Sequence, residues 1–93
     1  MNQDLETKIY NSFLEKYDCF NNPHYIIRVY KSSDRLTTNN VDVYNIEINE
    51  HDIYSYSFNG KDYQEVDEIR HLGFFYARVT NNEILSIHKD YLY

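Results

Sequence analysis

Cysteine, proline, glycine and tryptophan are nearly missing from this 93-residue chain, which has one, one, two and none of them respectively. Cys19 alone cannot close an intrachain disulfide, and no paired Cys/His spacing offers a zinc site. The expectation is a fold held by its core, with no metal and no cofactor, in a reducing, cytoplasmic setting. With so little Gly and Pro there is no low-complexity stretch or linker, and no internal repeat. No apolar run approaches the ~20 residues of a bilayer-spanning helix. Met1-Asn2-Gln3-Asp4-Leu5-Glu6 also lacks the basic start and apolar stretch of a secretory signal. A soluble protein not exported by that route is expected, with no membrane partner. Cations are scarce too: 9 Lys and Arg stand against 15 Asp and Glu, for a net charge of −6. The longest basic grouping, Arg28, Lys31 and Arg35, is thin, so direct nucleic-acid binding is not expected.

Aromatic side chains are abundant, with 11 Tyr and 5 Phe, and each buries a large area with few rotatable bonds. Residues 1–93 have room for one hydrophobic core and one domain. Leu5, Ile9, Phe13, Leu14 and Tyr17 recur at helical spacing, with Tyr10 beside them and Glu6, Lys8, Asn11, Glu15 and Lys16 on the other face. This predicts an amphipathic helix from about Asp4 to about Asp18, capped by Asp4 or Asn2 and stopped by Asn21-Asn22-Pro23. Tyr25, Ile26, Ile27, Val29 and Tyr30 favour a strand over His24 to Lys31, and the polar run Ser32 to Asn40 reads as a loop.

From Val41 the apolar phase shifts, from Val41 and Val43 to Tyr44, Ile46 and Ile48, which predicts a bulge near Tyr44 and Asn45. Ile53 to Phe58 resumes alternation, and Asn59-Gly60 signals a hairpin whose return arm is Lys61 to Tyr63. Val66, Ile69 and Leu72, three residues apart and followed by Gly73, predict a short second helix over Gln64 to Leu72. Phe74 to Thr80 and Glu83 to Tyr91 form a final hairpin around Asn81-Asn82. The predicted class is α+β, with two helices packed on a mainly antiparallel sheet of four to five strands.

The least random feature is charge placement. Asp42, Glu47, Glu50, Asp52, Asp62, Glu65, Asp67 and Glu68 are opposed only by Lys61 across that stretch. Carboxylates are rarely buried without partners, so these eight are expected on the surface, where a field of one sign favours a basic partner. A solvated face that keeps a small protein soluble accounts for the same pattern.

Catalytic readings are weaker. In Glu50-His51-Asp52, strand alternation would turn His51 away from the two carboxylates, and a polar loop between strands explains the run equally. Cys19 and His24 flank a Pro-containing turn, yet a lone Cys at a helix end is commonly a small buried hydrophobe. His71 and His88 have no companion at ligand spacing, and no Gly-rich phosphate loop is present. No enzyme activity is expected. The many tyrosines suit an interface; Tyr91-Leu92-Tyr93 with one face of Phe74-Phe75-Tyr76 would be the contact of a homodimer, and ordinary core and edge packing accounts for the same residues.

With its acidic segment, Asn-Gly hairpin and Tyr/Asn-rich setting, the chain resembles small acidic anti-defence proteins of phages, including DNA-mimic antirestriction proteins of T-even-like phages and anti-CRISPR proteins. The resemblance lies in size, charge and composition. It implies a non-enzymatic inhibitor or decoy in which the eight carboxylates imitate DNA phosphates and occupy the basic site of a nuclease or other nucleic-acid-binding protein, in the host cytoplasm if phage-encoded. The alternative is a protein-interaction or immunity-type module that binds through aromatics around Tyr54, Tyr56 and Phe74, with acidity serving only solubility.

Overall fold

The apolar stripe read from Leu5, Ile9 and Phe13 does form a helix, and it covers one face of a sheet. The structure, a computed structural model, describes residues 2–33, 40–57 and 59–93, with side chains from residue 5 onward. Helix α1 spans Asn2–Lys16 and a 3-10 turn follows at Asp18–Phe20. The cap expected of Asp4 or Asn2 falls on side chains outside that description. Leu5, Ile9 and Phe13 are buried against Tyr44, Ile46, Ile48, Phe75, Ala77, Val79 and Ile87, with Leu14, Tyr17 and Phe20 packed at the margin. Phe13 sits at the centre, its ring 4.9 Å from that of Phe75 and 5.7 Å from that of Phe20, an arrangement that adds to simple area burial.

Four strands follow: β1 (Tyr25–Lys31), β2 (Asp42–Tyr56), β3 (Gln64–Thr80) and β4 (Glu83–Leu92). They form one antiparallel meander in the order β1-β2-β3-β4. Tyr44, Ile46 and Ile48 of β2 and Phe75, Ala77 and Val79 of β3 alternate toward the helix, as a half-covered sheet requires. Asn81 and Asn82 turn β3 into β4 with φ of 49° and 62°, the pair of positive values that suits a two-residue hairpin.

Two expectations are corrected. No second helix exists among the described residues: Gln64 to Leu72 is the first half of β3, paired with β2 from Asn49 to Tyr56. Cross-strand pairing set by the Asn59-Gly60 turn overrides the three-residue spacing of Val66, Ile69 and Leu72. The register irregularity falls at Ile48/Asn49, not near Tyr44. The phase shift at Val43 and Tyr44 reflects apolar residues on both faces of one regular strand, while the extra residue is Leu72, on the partner strand. Gly73 makes that bulge possible. Its φ is 156°, and a Cβ there would lie 2.0 Å from the carbonyl oxygen of Tyr91. The expected loop 32–40 lies mostly outside the described residues, as does Phe58.

Candidate interaction arm

Pairing of β1 with β2 ends at Tyr25 opposite Glu50, and pairing of β4 with β3 ends at Leu92 opposite Gly73. Beyond these points β2 and β3 continue alone to Tyr56 and Gln64. Six residues at ~3.3 Å each carry this ribbon about 20 Å past β1. The molecule is accordingly long and narrow, 62 × 23 × 22 Å.

The tip is locally specified. Asn59 Oδ1 accepts from the backbone N–H groups of Lys61 and Asp62, both at 2.9 Å, and its Nδ2 donates to Asp62 at 3.1 Å. The N–H of Gly60 donates to Ser57 Oγ at 2.9 Å, with Gly60 at φ 76°. The turn is wider than the Asn-Gly pair signalled: pairing ends at Tyr56 opposite Gln64, so Lys61 to Tyr63 is part of the turn and not a return arm, and of the pair only Gly60 takes positive φ.

Strand alternation divides the ribbon into two faces. On the helix side stand Glu50, Asp52, Tyr54 and Tyr56, opposite Arg70, Glu68, Val66 and Gln64; on the other side stand His51, Ile53 and Ser55, opposite Ile69, Asp67 and Glu65. Neither face is covered. Ile53 is 59% exposed, Tyr54 48%, Ile69 63% and Tyr63 71%. Such large apolar side chains in the open, on a two-stranded element that is marginal by itself, make the arm the candidate interaction surface.

The eight carboxylates do not make one face. Asp42 lies at the far end of β2 and pairs with Lys31 at 3.7 Å. Glu47 sits mid-sheet on the side away from the helix, where it pairs with Arg28 at 3.5 Å and accepts from Asn49 Nδ2 at 2.9 Å and from the Tyr30 hydroxyl at 3.5 Å. Glu50 accepts from Arg70 at 2.7 Å, and Asp67 pairs with His51. Asp62 belongs to the tip turn. That leaves Asp52, Glu65 and Glu68, exposed or half-exposed on the ribbon, with no ion pair or hydrogen bond among the described residues. Pairs of this exposed kind contribute at most about 1 kcal/mol each, so their interest lies in the charge they cancel, which for His51 and Asp67 requires a protonated imidazole. Of the eight, Asp42 and Glu47 in the body of the sheet are matched by Lys31 and Arg28, while the ribbon keeps unmatched negative charge at Asp52, Glu65 and Glu68.

His51 turns away from Glu50 and Asp52 as alternation requires, although the run lies within β2 and not in a loop. Cys19 is exposed in the 3-10 turn, contrary to a buried small hydrophobe. Among the described residues no three His, Cys, Asp or Glu side chains are grouped to hold a metal, and no helix is long and apolar enough to cross a membrane.

The sheet face away from the helix holds a feature that sequence reasoning missed. A cleft of about 320 Å³ opens between Tyr30, Asn45, Phe74, Asp90 and Tyr91. Partial burial, followed by the charge of Glu47, raises the Tyr30 hydroxyl above the ordinary tyrosine range. Tyr91 is raised as well, first by partial desolvation and then by Tyr93, Asp90, Glu47 and Tyr30. His71 lies 3.2 Å from the Tyr91 hydroxyl and 3.3 Å from Asn49 Oδ1. These residues come from four strands, and only the register brings them together, so no local motif could announce them. Phe74 belongs to this cleft and Tyr54 to the opposite face of the arm, so the aromatics singled out from sequence do not form one patch.

Comparison with protein-family models, with curated proteins and with solved structures finds no match.

Proposed function

We propose that this chain is a non-enzymatic binding protein that places its β2–β3 ribbon in a basic groove of a nucleic-acid-handling protein, a nuclease foremost, and blocks that groove as a decoy. The observation that carries the reading is the distribution of unmatched charge. Among the described residues Asp52, Glu65 and Glu68 have no cation partner and stand with Asp62 on a projecting arm where Lys61 is the one cation outside an ion pair, whereas Asp42, Glu47 and Glu50 pair with Lys31, Arg28 and Arg70, and Asp67 with His51. A narrow acidic projection fits a groove that normally takes a polyanion, because opposite fields steer the encounter and exclude partners of like charge.

The test is capture of nucleic-acid-handling proteins from host lysate, followed by binding of the purified partner in the presence of competing DNA. Binding should weaken steeply with salt, since steering is screened, and DNA should displace the chain. A second reading is favoured by the exposure of Ile53, Tyr54, Tyr63 and Ile69: a protein-interaction module whose contacts are apolar. In that case alanine at Tyr54 and Ile69 abolishes binding, while salt and DNA leave it unchanged.

A further inference from the structure

The backbone of β2 carries a second, separate message. The N–H of His51 donates to the carbonyl of His24 at 2.6 Å, so His51 points its backbone groups toward β1 and away from β3. The register of β2 is regular from Asn49 onward, so Ile53 and Ser55 point theirs the same way. In that direction β1 has already ended. Among the described residues no strand fills the row beside β2 opposite Asp52 to Tyr56, and the N–H and C=O groups of Ile53 and Ser55 face it. Exposed edges of this sort are templates for pairing with another chain.

The geometry points to a second copy of this chain as the occupant, in a two-fold antiparallel pairing of the β2 edges centred on Tyr54. In this register Ile53 lies opposite the partner's Ser55 and Ser55 opposite the partner's Ile53, each pair exchanging N–H···O bonds, so every outward backbone group in the gap is satisfied. Tyr54 meets the partner's Tyr54 in a non-hydrogen-bonded pair, where side chains approach most closely. Asp52 falls opposite the partner's Tyr56, so no like charges face each other. The gap closes after five residues on both sides, since His24 fills the position opposite His51 and the strand itself ends at Tyr56. The other edge of the ribbon offers no such match: self-pairing centred on Val66, Asp67 or Glu68 would bring like charges among Glu65, Asp67 and Glu68 of two copies together, and from Leu72 onward that edge is taken by Tyr93 and β4. Charge thus selects the β2 edge, and the outcome is a four-stranded ribbon with its acidic β3 strands outermost.

The experiment combines mass in solution with cross-linking. Wild type should sediment at twice 11.3 kDa. Ser55→Pro should return it to a monomer of unchanged circular dichroism, because the lost N–H points away from β3 and edge strands tolerate proline there. In a Cys19→Ser background, Tyr54→Cys should form an intermolecular disulfide under mild oxidation, since non-hydrogen-bonded pairs place Cα atoms about 4.5 Å apart, inside the roughly 4.4–6.8 Å that a disulfide spans. Tyr63→Cys should not. If Ser55→Pro fails to fold, the two cysteine variants decide. A wild type that stays at 11.3 kDa at its highest soluble concentration overturns the proposal, as does a dimer in which Tyr54→Cys does not cross-link.

Discussion

Single residues decide where this sheet bends. Gly73 sits beside the one-residue insertion at Leu72, at a φ rarely open to other residues and with the Tyr91 carbonyl where a side chain would begin. Gly73→Ala must move β4 or relax the bulge, and should lower stability by about 1–3 kcal/mol from overcrowding alone, read as an earlier midpoint in urea denaturation. Tyr30 tests the open face through its proton. Its hydroxyl holds that proton more tightly in the folded state than the ordinary value of 10. The unfolded chain therefore loses protons first as pH climbs, and the contribution of Tyr30 to stability is complete below pH 10 and is lost above it. Thermal melts between pH 9 and 11 should show wild type declining more steeply than Tyr30→Phe. Neither effect was legible in the sequence. A glycine after Leu72 looked like a helix end, and the charge that Glu47 places on Tyr30 depends on β1 and β2 lying side by side.

At the scale of elements, legibility followed burial. Helix α1 could be read from Leu5, Ile9 and Phe13 because one face of it is buried and the other is wet, which imposes a 3.6-residue period. The turn at Asn81-Asn82 could be read because positive φ selects those residues; at Asn59-Gly60 only Gly60 has positive φ, and the wider turn is held by the Asn59 side chain. Gln64 to Leu72 was misread because the ribbon has no buried face: with both sides in water nothing enforces alternation, and Val66, Ile69 and Leu72 imitate a helix by chance. The same exposure predicts how the arm behaves. It rests on its turn and on cross-strand pairs each contributing roughly 0.2–1 kcal/mol, so Asn59→Ala, which removes two backbone contacts and two side-chain contacts at the tip, should loosen it. Hydrogen exchange of the amides between Ile53 and Val66 should quicken about tenfold, with those of Ile46 and Phe75 unchanged; equal acceleration in both regions would show that the arm does not open independently of the core.

For the whole molecule, the eight carboxylates were visible as a cluster in sequence, but their arrangement was not. Pairing of β1 with β2 hands Asp42 and Glu47 to Lys31 and Arg28, and pairing of β2 with β3 hands Glu50 and Asp67 to Arg70 and His51. Of the eight, Asp52, Asp62, Glu65 and Glu68 are left without an ion pair among the described residues and all stand on the arm, and the proposed decoy function rests on that asymmetry. The most direct measurement compares binding of the captured nucleic-acid-handling partner by wild type, by an Asp52→Lys, Glu65→Lys, Glu68→Lys variant and by an Asp42→Lys, Glu47→Lys variant, at low and high salt and with competing DNA. The arm variant should associate about tenfold or more slowly at low salt, as expected when steering is removed, and DNA should displace wild type, while the body variant binds nearly as wild type does. Binding that is indifferent to salt, to DNA and to reversal of the arm charges would contradict the account.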